Sequence, residues 1–209
     1  YSDAYCYYVG LGKLIESAVN FSVYSRDKAV IEVKDRLVRE TIACQDSEGY
    51  IGFFTEPKEK MWRAWSGHEM SYIILGLLRE WHQFNNRAAL DAAERTANFF
   101  MKRWSTKPRN LNLWVDSSWV GLDCALAELF KTTGKKVYLD FLAEAMDVTS
   151  VDWLTEQGFQ HVYILISHCL TQCKLYQTNG DVRLLRHSHR IIRKLVEQEG
   201  LAINGSAGQ

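Results

Sequence analysis

Two histidines in this sequence have the side chain and the local setting that ligand binding needs. His68 lies in the segment Ser-Gly-His-Glu and His161 in Phe-Gln-His-Val, each near the start of a strongly apolar helical pattern. A helix N-terminus disfavours the charged form of a histidine, and a neutral imidazole can hydrogen-bond to a ligand hydroxyl. The alternative for each is a structural histidine that bonds to a neighbouring loop carbonyl, and the sequence leaves both roles open.

Tryptophan side chains accumulate in the long connections between the predicted helices. Five of the seven tryptophans lie at or beside these connections: Trp62, Trp65, Trp114, Trp119 and Trp153. Connecting segments lie at the surface and often carry function. Because flat aromatic faces stack on the C–H faces of sugar rings, this pattern favours a carbohydrate site. The alternative is that the tryptophans only close the end of a helical bundle. The predicted substrate-binding residues are His68, His161, Trp65, Trp114 and Trp119.

The acidic residues of the same connections do not form a recognisable catalytic pair. These residues are Glu48, Glu56, Glu69, Asp116 and Asp152. A glycosidase needs two positioned carboxyl groups, or one carboxyl group with another nucleophile, across the scissile bond. Spacing singles out no such pair, and Asp116 before two serines is typical of a helix cap. We therefore assign no catalytic residue to this chain.

The cysteines favour buried thiols over a disulfide framework or a metal site. Their number, five, is odd, whereas disulfide-rich domains are smaller and pair their cysteines. Cys169 and Cys173 share one helical face beside His168, but zinc needs four ligands and no second cluster is evident. We predict no metal ion and no cofactor in this chain. A basic stripe that follows is predicted to be solvated: Arg183, Arg186, His187, His189 and Arg190.

Composition narrows the class of partner. The chain has 25 basic and 25 acidic side chains, whereas nucleic-acid binders normally show a basic surplus. No apolar run approaches the roughly 20 residues of a membrane span. The expected partner is therefore neither nucleic acid nor membrane. The chain begins at Tyr1 rather than Met, so a leader could have been removed or never included, and a cytoplasmic and a periplasmic or secreted location both fit.

Apolar periodicity predicts helices along almost the whole chain. The second predicted helix has Val30, Val33 and Leu37 on its apolar face and Lys34 on its charged face. The third helix, residues 72–78, is apolar nearly all round and must be covered on most sides. The eighth has a one-sided stripe of Leu185, Ile192 and Leu195. The alternation of buried and amphipathic helices predicts four antiparallel helix pairs with an inner and an outer layer.

A weak internal repeat supports these pairs. An aromatic residue ends each inner helix: Phe21, Trp81, Phe130 and Tyr176. Four residues later come the residues predicted to close the helices: Ser25, Asn85, Gly134 and Gly180. Nine residues after each aromatic lies an apolar anchor of the outer helix: Val30, Leu90, Leu139 and Leu185. The turns inside the pairs are short and the connections between pairs are long, so a ring of pairs would carry every long connection at one end.

Several segments together resemble the β-L-arabinofuranosidase-type glycoside hydrolases, the family 127-like members of the six-hairpin glycosidases. The resemblance begins with residues 13–18 and the "Gln…Gly-Tyr" loop of residues 43–52. It continues through Trp62, Trp65, His68 and residues 76–78, and through the segments 160–162 and 175–181. The glycine-rich segment 204–208 is similar to the loop that precedes the active site of these enzymes.

The resemblance implies that residues 1–209 form an all-α, partial (α/α)6 toroid with about four of its six helix pairs. It also implies that the family's catalytic glutamate, cysteine nucleophile and zinc-binding cysteines follow the segment 204–208. This sequence departs from the family at two points. In the third helix the family's histidine would fall nearer Ser71 than His68, and in the fifth helix Trp119 stands where a Gly-His pair is expected.

The function expected from this resemblance is part of a glycoside hydrolase that releases L-arabinofuranose-type sugars from plant-type glycans. The expected partner is a carbohydrate ligand, and zinc is expected only beyond this chain. Two other functions remain open, a helical-repeat binding module without catalysis and a toroid lyase or epimerase. A ring cut after four pairs exposes apolar flanks of its first and last inner helices, which predicts self-association.

Overall fold

The computed structural model describes residues 10–62, 65–107, 120–150 and 162–199. Its α-helices are α1 (Leu11–Ser25), α2 (Lys28–Ala43), α3 (Ser66–Phe84), α4 (Arg87–Arg103), α5 (Leu122–Thr133), α6 (Lys136–Glu144), α7 (Val162–Asn179) and α8 (Val182–Lys194). A 3₁₀ turn (Trp104–Thr106) follows α4 and a π-helical turn (Leu195–Glu199) follows α8. No strand occurs in the described ranges. Within these ranges the predicted all-α class is confirmed, with eight α-helices.

The chain divides into two compact units. The first comprises residues 1–111 and 118–125, and the second comprises residues 112–117 and 126–209, so the boundary falls inside α5. In the first unit α1 packs on both α2 and α3, while α3 packs on α4 and α2 contacts α4. In the second unit α7 packs on α8. The contacts of the first unit confirm the predicted inner and outer layers there. That residues 1–209 form a single toroid domain stays a prediction.

Helix α3 is the centre of the first unit's core. Its side chains Met70, Ile73, Ile74 and Leu77 are at most 1% exposed, and they lie on more than one side of the helix. Burial of such side chains contributes about 1.5–3 kcal/mol each to folding. The prediction that residues 72–78 are covered on most sides is therefore confirmed.

Two glycines allow α1 and α3 to approach at backbone distance. A Cβ atom on Gly12 would overlap the backbone of Tyr72 and Ile73. A Cβ atom on Gly76 would lie 2.7 Å from the carbonyl oxygen of Gly12 and 3.0 Å from the Ile15 side chain. Only residues without a side chain fit at this crossing. The two inner helices are therefore held closer than ordinary side-chain packing permits.

The predicted repeat of helix-closing residues is confirmed in three of the four pairs. Asn85, Gly134 and Gly180 each adopt the left-handed conformation, with φ of 52°, 68° and 74°. Each donates its N–H to the carbonyl four residues earlier, which belongs to the predicted aromatic. In the first pair the left-handed residue is Arg26, one position after the predicted Ser25. Of the four predicted apolar anchors, only Leu90 is fully buried.

The charged face predicted for α2 is wrong at one residue. Lys34 is 1% exposed and points into the first unit, whereas Val33 is 55% exposed. Lys34 Nζ lies 2.9 Å from Glu80 Oε1 on α3, 2.5 Å from Asp35 Oδ1 and 3.8 Å from the centroid of the Phe84 ring. An acidic partner on the neighbouring inner helix thus turns a lysine inward and displaces a valine.

Of the stripe predicted for α8, Leu195 is buried as predicted, whereas Leu185 and Ile192 each lie one residue after a buried position. The buried side chains are Leu184, His187, Ser188 and Ile191, and Ile192 is 38% exposed. The prediction that His187 lies on a solvated basic face is wrong, because its Nδ1 donates to Gln172 Oε1 on α7 at 2.8 Å. His189 and the arginines of that stripe are solvated as predicted.

Apolar side chains remain exposed on the first and last inner helices described. On α1 these are Leu14 and Phe21, and on α7 they are Tyr163, Ile166 and Leu170. These are the two helices for which exposed flanks are predicted, although self-association itself stays a prediction. None of the described helices combines the length and the hydropathy needed to cross a membrane.

Candidate functional site

The N-terminal ends of α1 and α3 and the residues that lead into α5 meet around His68 in the first unit. His68 Nδ1 lies 2.9 Å from the carbonyl oxygen of Val120. The imidazole packs between two aromatic rings, with 5.7 Å between its centroid and that of Trp65 and 4.8 Å to that of Tyr72. Its exposed fraction is 5%. The loop-carbonyl contact considered for this residue is therefore present.

His68 is neutral in this environment. Burial lowers the pKa of His68 to about 4, the hydrogen bond to Val120 opposes that shift, and the charge of Lys13 adds to it. A carbonyl oxygen only accepts hydrogen bonds, so Nδ1 carries the proton and Nε2 is the acceptor in the neutral ring. The histidine is thus a hydrogen-bond acceptor at neutral pH.

Glu69, the neighbour of His68, holds the start of α1. Its Oε1 accepts the N–H of Gly12 at 3.1 Å, and the side chain is 3% exposed. Burial raises the pKa of Glu69, while the N–H groups of Gly12, Leu11 and Gly10 favour the ionised form. The N-cap residue of α1, Gly10, has no side chain to satisfy these donors. A carboxylate on α3 therefore caps α1, which makes Glu69 a structural residue.

Tyr72 connects the three segments at this end. Lys13 Nζ lies 4.4 Å from the centroid of the Tyr72 ring. Gly121 has a φ of +94°, and a Cβ atom there would stand 3.2 Å from the ring. A cation, an aromatic ring and a glycine backbone are thus grouped beside His68. Cations, aromatic faces and imidazoles of this kind suit a polar ligand that carries hydroxyl groups.

The first long connection is built around Gln45, which sequence reasoning noted only as part of a motif. Its amide nitrogen lies within hydrogen-bond distance of the carbonyls of Gly49 and Ala92 and of Thr96 Oγ1, at 3.1, 2.9 and 2.9 Å. Arg95 Nε donates to its Oε1 at 2.6 Å. Gln45 therefore ties the connection to α4. Its partners on α4 are 47 to 51 residues away in the sequence, which is why local pattern could not identify the role.

Asp46 and Tyr50 shape the rest of this connection. Asp46 Oδ2 accepts from Lys60 Nζ at 2.6 Å. Burial raises the pKa of Asp46, but hydrogen bonds from Lys60 and from two backbone N–H groups outweigh it and lower the pKa overall. The Tyr50 hydroxyl lies 3.2 Å from Ser66 Oγ and accepts the N–H of Phe54. The connection is thus anchored at the first residue of α3, two residues before His68.

The structure describes two of the predicted tryptophans of the long connections, Trp62 and Trp65. Trp65 packs edge-on against His68. Trp62 packs on Trp104, with 5.7 Å between ring centroids, and donates its Nε1–H to Thr106. Trp114, Trp119, Trp153 and His161 lie outside the described residues. The substrate-binding role of the five predicted residues stays a prediction.

The second unit contains a buried polar cluster that sequence reasoning did not find. Gln172 Nε2 donates to the carbonyls of Val148 and Ser150, while its Oε1 accepts from His187 and Ser188. Burial lowers the pKa of the neighbouring His168 to about 3, and the charge of His187 adds to this shift. The cluster joins α7, α8 and the segment after α6, so its role is structural.

The two neutral histidines predict a loss of stability in mild acid. The pKa values of His68 and His168 are lower in the folded chain than the ordinary 6.5, so the unfolded chain binds more protons below pH 6.5. The stabilisation that comes from keeping these histidines neutral is fully present above pH 6.5. It is lost as the pH falls towards 4 for His68 and towards 3 for His168. Between pH 7 and 5 the free energy of unfolding should fall by about 2 kcal/mol for His68.

Urea titrations at half-unit pH intervals test this expectation. His68→Asn cannot be protonated in this range and should flatten the pH dependence. His189→Gln, on the exposed face of α8, is the matched control and should keep the wild-type slope. Equal slopes for wild type and His68→Asn would contradict the neutral state of His68.

The described residues offer no metal site and no catalytic pair. Within the described ranges, no group of three or more histidine, cysteine or acidic side chains is placed to hold a metal ion. Cys44, Cys124, Cys169 and Cys173 are free thiols. Of the acidic candidates described, Glu48 pairs with Lys60 and Glu69 caps α1. The side chains grouped around His68 offer hydrogen bonding and aromatic contact.

Comparisons with known proteins bear on the family and the fold of this chain. The family model described as "Beta-L-arabinofuranosidase, GH127 catalytic domain" matches residues 9–209. No protein of curated function matches the sequence. A solved structure described as a glycoside hydrolase superposes with a TM-score of 0.69 at 14% identity, and the match covers 95% of this chain and 33% of that one.

Two further solved structures carry more specific descriptions. Ara127N-Se, a GH127 β-L-arabinofuranosidase from Geobacillus stearothermophilus T6, has a TM-score of 0.66 and 16% identity, covering all of this chain and 39% of that one. The GH127 β-arabinofuranosidase BT3674 has a TM-score of 0.69 and 17% identity, and the match covers 99% of this chain and 37% of that one. At these identities the likeness establishes the fold and confirms antiparallel helix hairpins of the (α/α)6-toroid type. The chain spans less than two fifths of either structure.

Proposed function

Because this chain belongs to the family of β-L-arabinofuranosidase GH127 catalytic domains, we propose that it is part of a glycoside hydrolase that releases L-arabinofuranose-type sugars from plant-type glycans. The match to the family model over residues 9–209 is the observation that carries this proposal. The solved GH127 structures support it through their shared fold. The grouping of imidazole, aromatic and cationic side chains where inner helices begin is consistent with a sugar ligand.

In this proposal the chain contributes substrate contacts rather than the reacting groups. The substrate-binding residues are His68, His161, Trp65, Trp114 and Trp119. The catalytic glutamate and the cysteine nucleophile expected of the family are assigned to no residue of this chain. Zinc, which the family implies, has no ligand set among the described residues. Glycosidic cleavage would take place against groups supplied by other segments of the enzyme.

His68 would bind a sugar hydroxyl through Nε2. With Nδ1 donating to Val120, the neutral ring has an acceptor atom on its other side. The two flanking rings, Trp65 and Tyr72, limit rotation of the imidazole and so keep that acceptor in one direction. A directed hydrogen bond of this kind contributes roughly 0.5–1.5 kcal/mol to binding.

Two substitutions separate this role from the structural one. Asparagine at position 68 places an amide nitrogen near the position of Nδ1 and removes Nε2, whereas glutamine places its amide near Nε2. His68→Asn should keep the contact with Val120, retain the melting temperature and lower kcat/KM by roughly twofold to tenfold. His68→Gln should lower the melting temperature, and it should lower kcat/KM less than His68→Asn does.

The assay is release of L-arabinose from a synthetic aryl β-L-arabinofuranoside by the complete protein. His161→Ala should lower kcat/KM by a similar factor if both histidines bind the sugar. Full activity of His68→Asn together with reduced activity of His161→Ala would remove His68 from the site and favour Ser71, the position closer to the family's histidine. No release of arabinose by the wild type would contradict the proposed function itself.

A further inference from the structure

The exposed face of α8 carries an unusual concentration of positive charge. This helix contains no acidic residue between its ends. Its basic residues are Arg183, Arg186, Arg190, Arg193 and Lys194. The chain as a whole has equal numbers of acidic and basic side chains, so this surplus is local. Like charges on neighbouring turns of one helix repel each other. Asp181 pairs with Arg183 and Glu197 pairs with Arg193, so the chain itself neutralises the two ends of the stripe.

A groove follows this stripe. It has a volume of about 680 Å³ and is lined by Arg183, Leu185, Arg186, His189 and Arg190. Arg183 is neutralised within the chain, because Asp181 Oδ2 accepts from its Nη2 at 2.7 Å. Arg186 forms no ion pair with any residue in the described part of the chain. No acidic side chain is among the described residues that line the groove, so its lining has a net positive charge.

A second groove on an outer helix provides a comparison within the same molecule. On α2 a groove of about 550 Å³ is lined by Ala29, Glu32, Val33, Asp35, Arg36 and Arg39. Its two acidic and two basic side chains balance each other. The α2 groove therefore lacks the excess of basic side chains that lines the α8 groove.

We propose that the α8 groove binds an anionic glycan, that is, a polysaccharide whose sugar rings carry uronate carboxylates. A guanidinium group presents a planar fork of N–H donors that matches a carboxylate. Arg186 and Arg190 are four residues apart and so stand on adjacent turns of one face. That arrangement fits carboxylates that recur along a polymer. Leu185 supplies an apolar surface for a sugar ring, and His189 supplies a hydrogen-bonding group for a hydroxyl.

The chemistry of the groove favours a glycan over a nucleic acid. Single-stranded nucleic acids bind to basic grooves in which aromatic side chains stack on the bases. The residues that line this groove include no aromatic side chain apart from the imidazole of His189. The inference rests on the proposed function, because a hydrolase of glycan side chains would be retained on a polymer backbone by such a groove. It adds a binding site that is separate from the one around His68.

Binding of the complete protein to polygalacturonate, measured by affinity electrophoresis at low ionic strength, tests the proposal. The wild type should be retarded, and the retardation should decrease as salt screens the charges. Arg186→Gln/Arg190→Gln should weaken binding by roughly threefold to tenfold. Arg36→Gln/Arg39→Gln, which removes the same charge from the balanced groove of α2, should bind like the wild type.

Three results would overturn the proposal. They are no retardation of the wild type, equal loss in the two double variants, and tighter binding of a single-stranded oligonucleotide than of polygalacturonate. Turnover of the aryl arabinofuranoside should be unchanged in both double variants, because that substrate has no polymer backbone. If the wild type binds polygalacturonate but does not turn over the aryl arabinofuranoside, the proposed function is contradicted. The assignment of an anionic glycan to the α8 groove would not be affected.

Discussion

Gly12→Ala is expected to destabilise the first unit strongly, although it adds only one methyl group. The new Cβ atom would overlap the backbone of Tyr72 and Ile73, and a backbone cannot rotate away as a side chain can. The two inner helices would have to separate, which disturbs the contact of Gly76 with α1 and the bond from Gly12 to Glu69. We expect a loss of about 3 kcal/mol or more in the free energy of unfolding.

Urea unfolding followed by circular dichroism measures this loss. Ser17→Ala adds no bulk on the exposed side of the same helix and is the control, with an expected change within about 0.5 kcal/mol. An unfolding midpoint for Gly12→Ala equal to that of the wild type would show that α1 and α3 do not approach as closely as the structure indicates.

The second large effect is expected at the buried ion pair between α2 and α3. Lys34→Met would leave the Glu80 carboxylate buried without its cation, and its Oε2 already lacks a hydrogen-bond partner among the described residues. Removal of one member of such a pair typically costs about 3–5 kcal/mol. We expect a loss of that size in the free energy of unfolding, because Asn86 donates only a 3.3 Å hydrogen bond to the same carboxylate.

The double variant Lys34→Met/Glu80→Leu distinguishes this explanation from a simple loss of packing. Replacement of both charges by apolar side chains of similar volume is often neutral or stabilising, so the double variant should recover most of the loss. Arg39→Met, on the exposed face of α2, should change stability little. A double variant less stable than Lys34→Met would mean that the pair is not the source of the effect.

Features that depend on local sequence were predictable, and features that depend on distant partners were not. The hairpin closures at Asn85, Gly134 and Gly180 follow from residues that favour left-handed backbone. The inward position of Lys34 depends on Glu80, 46 residues away, and apolar periodicity alone places a lysine outside. His187 was assigned to the surface for the same reason, since its partner Gln172 lies on another helix.

The candidate site was predictable to a similar extent. The place of His68 at the start of an inner helix followed from the sequence, and the geometry shows it beside Trp65. The contact with Val120 was foreseen only as one of two alternatives. The roles of Glu69 and Gln45 were not predicted, because a carboxylate at the start of a helix or an amide in a connection has many possible partners and only the fold selects one. The basic groove on α8 was read as a solvated face because a sequence does not reveal a concave surface.

The cap that Glu69 provides for α1 has a consequence for the order of folding. Gly12 and Glu69 are 57 residues apart, so the first turn of α1 lacks its cap until α3 has been synthesised. Lys34 and Gly12 likewise depend on partners in the second hairpin. Contacts of this separation form only after a costly loop closure. A nascent chain that ends after α2 therefore holds an unfinished hairpin, and the first two hairpins emerge as one cooperative folding unit.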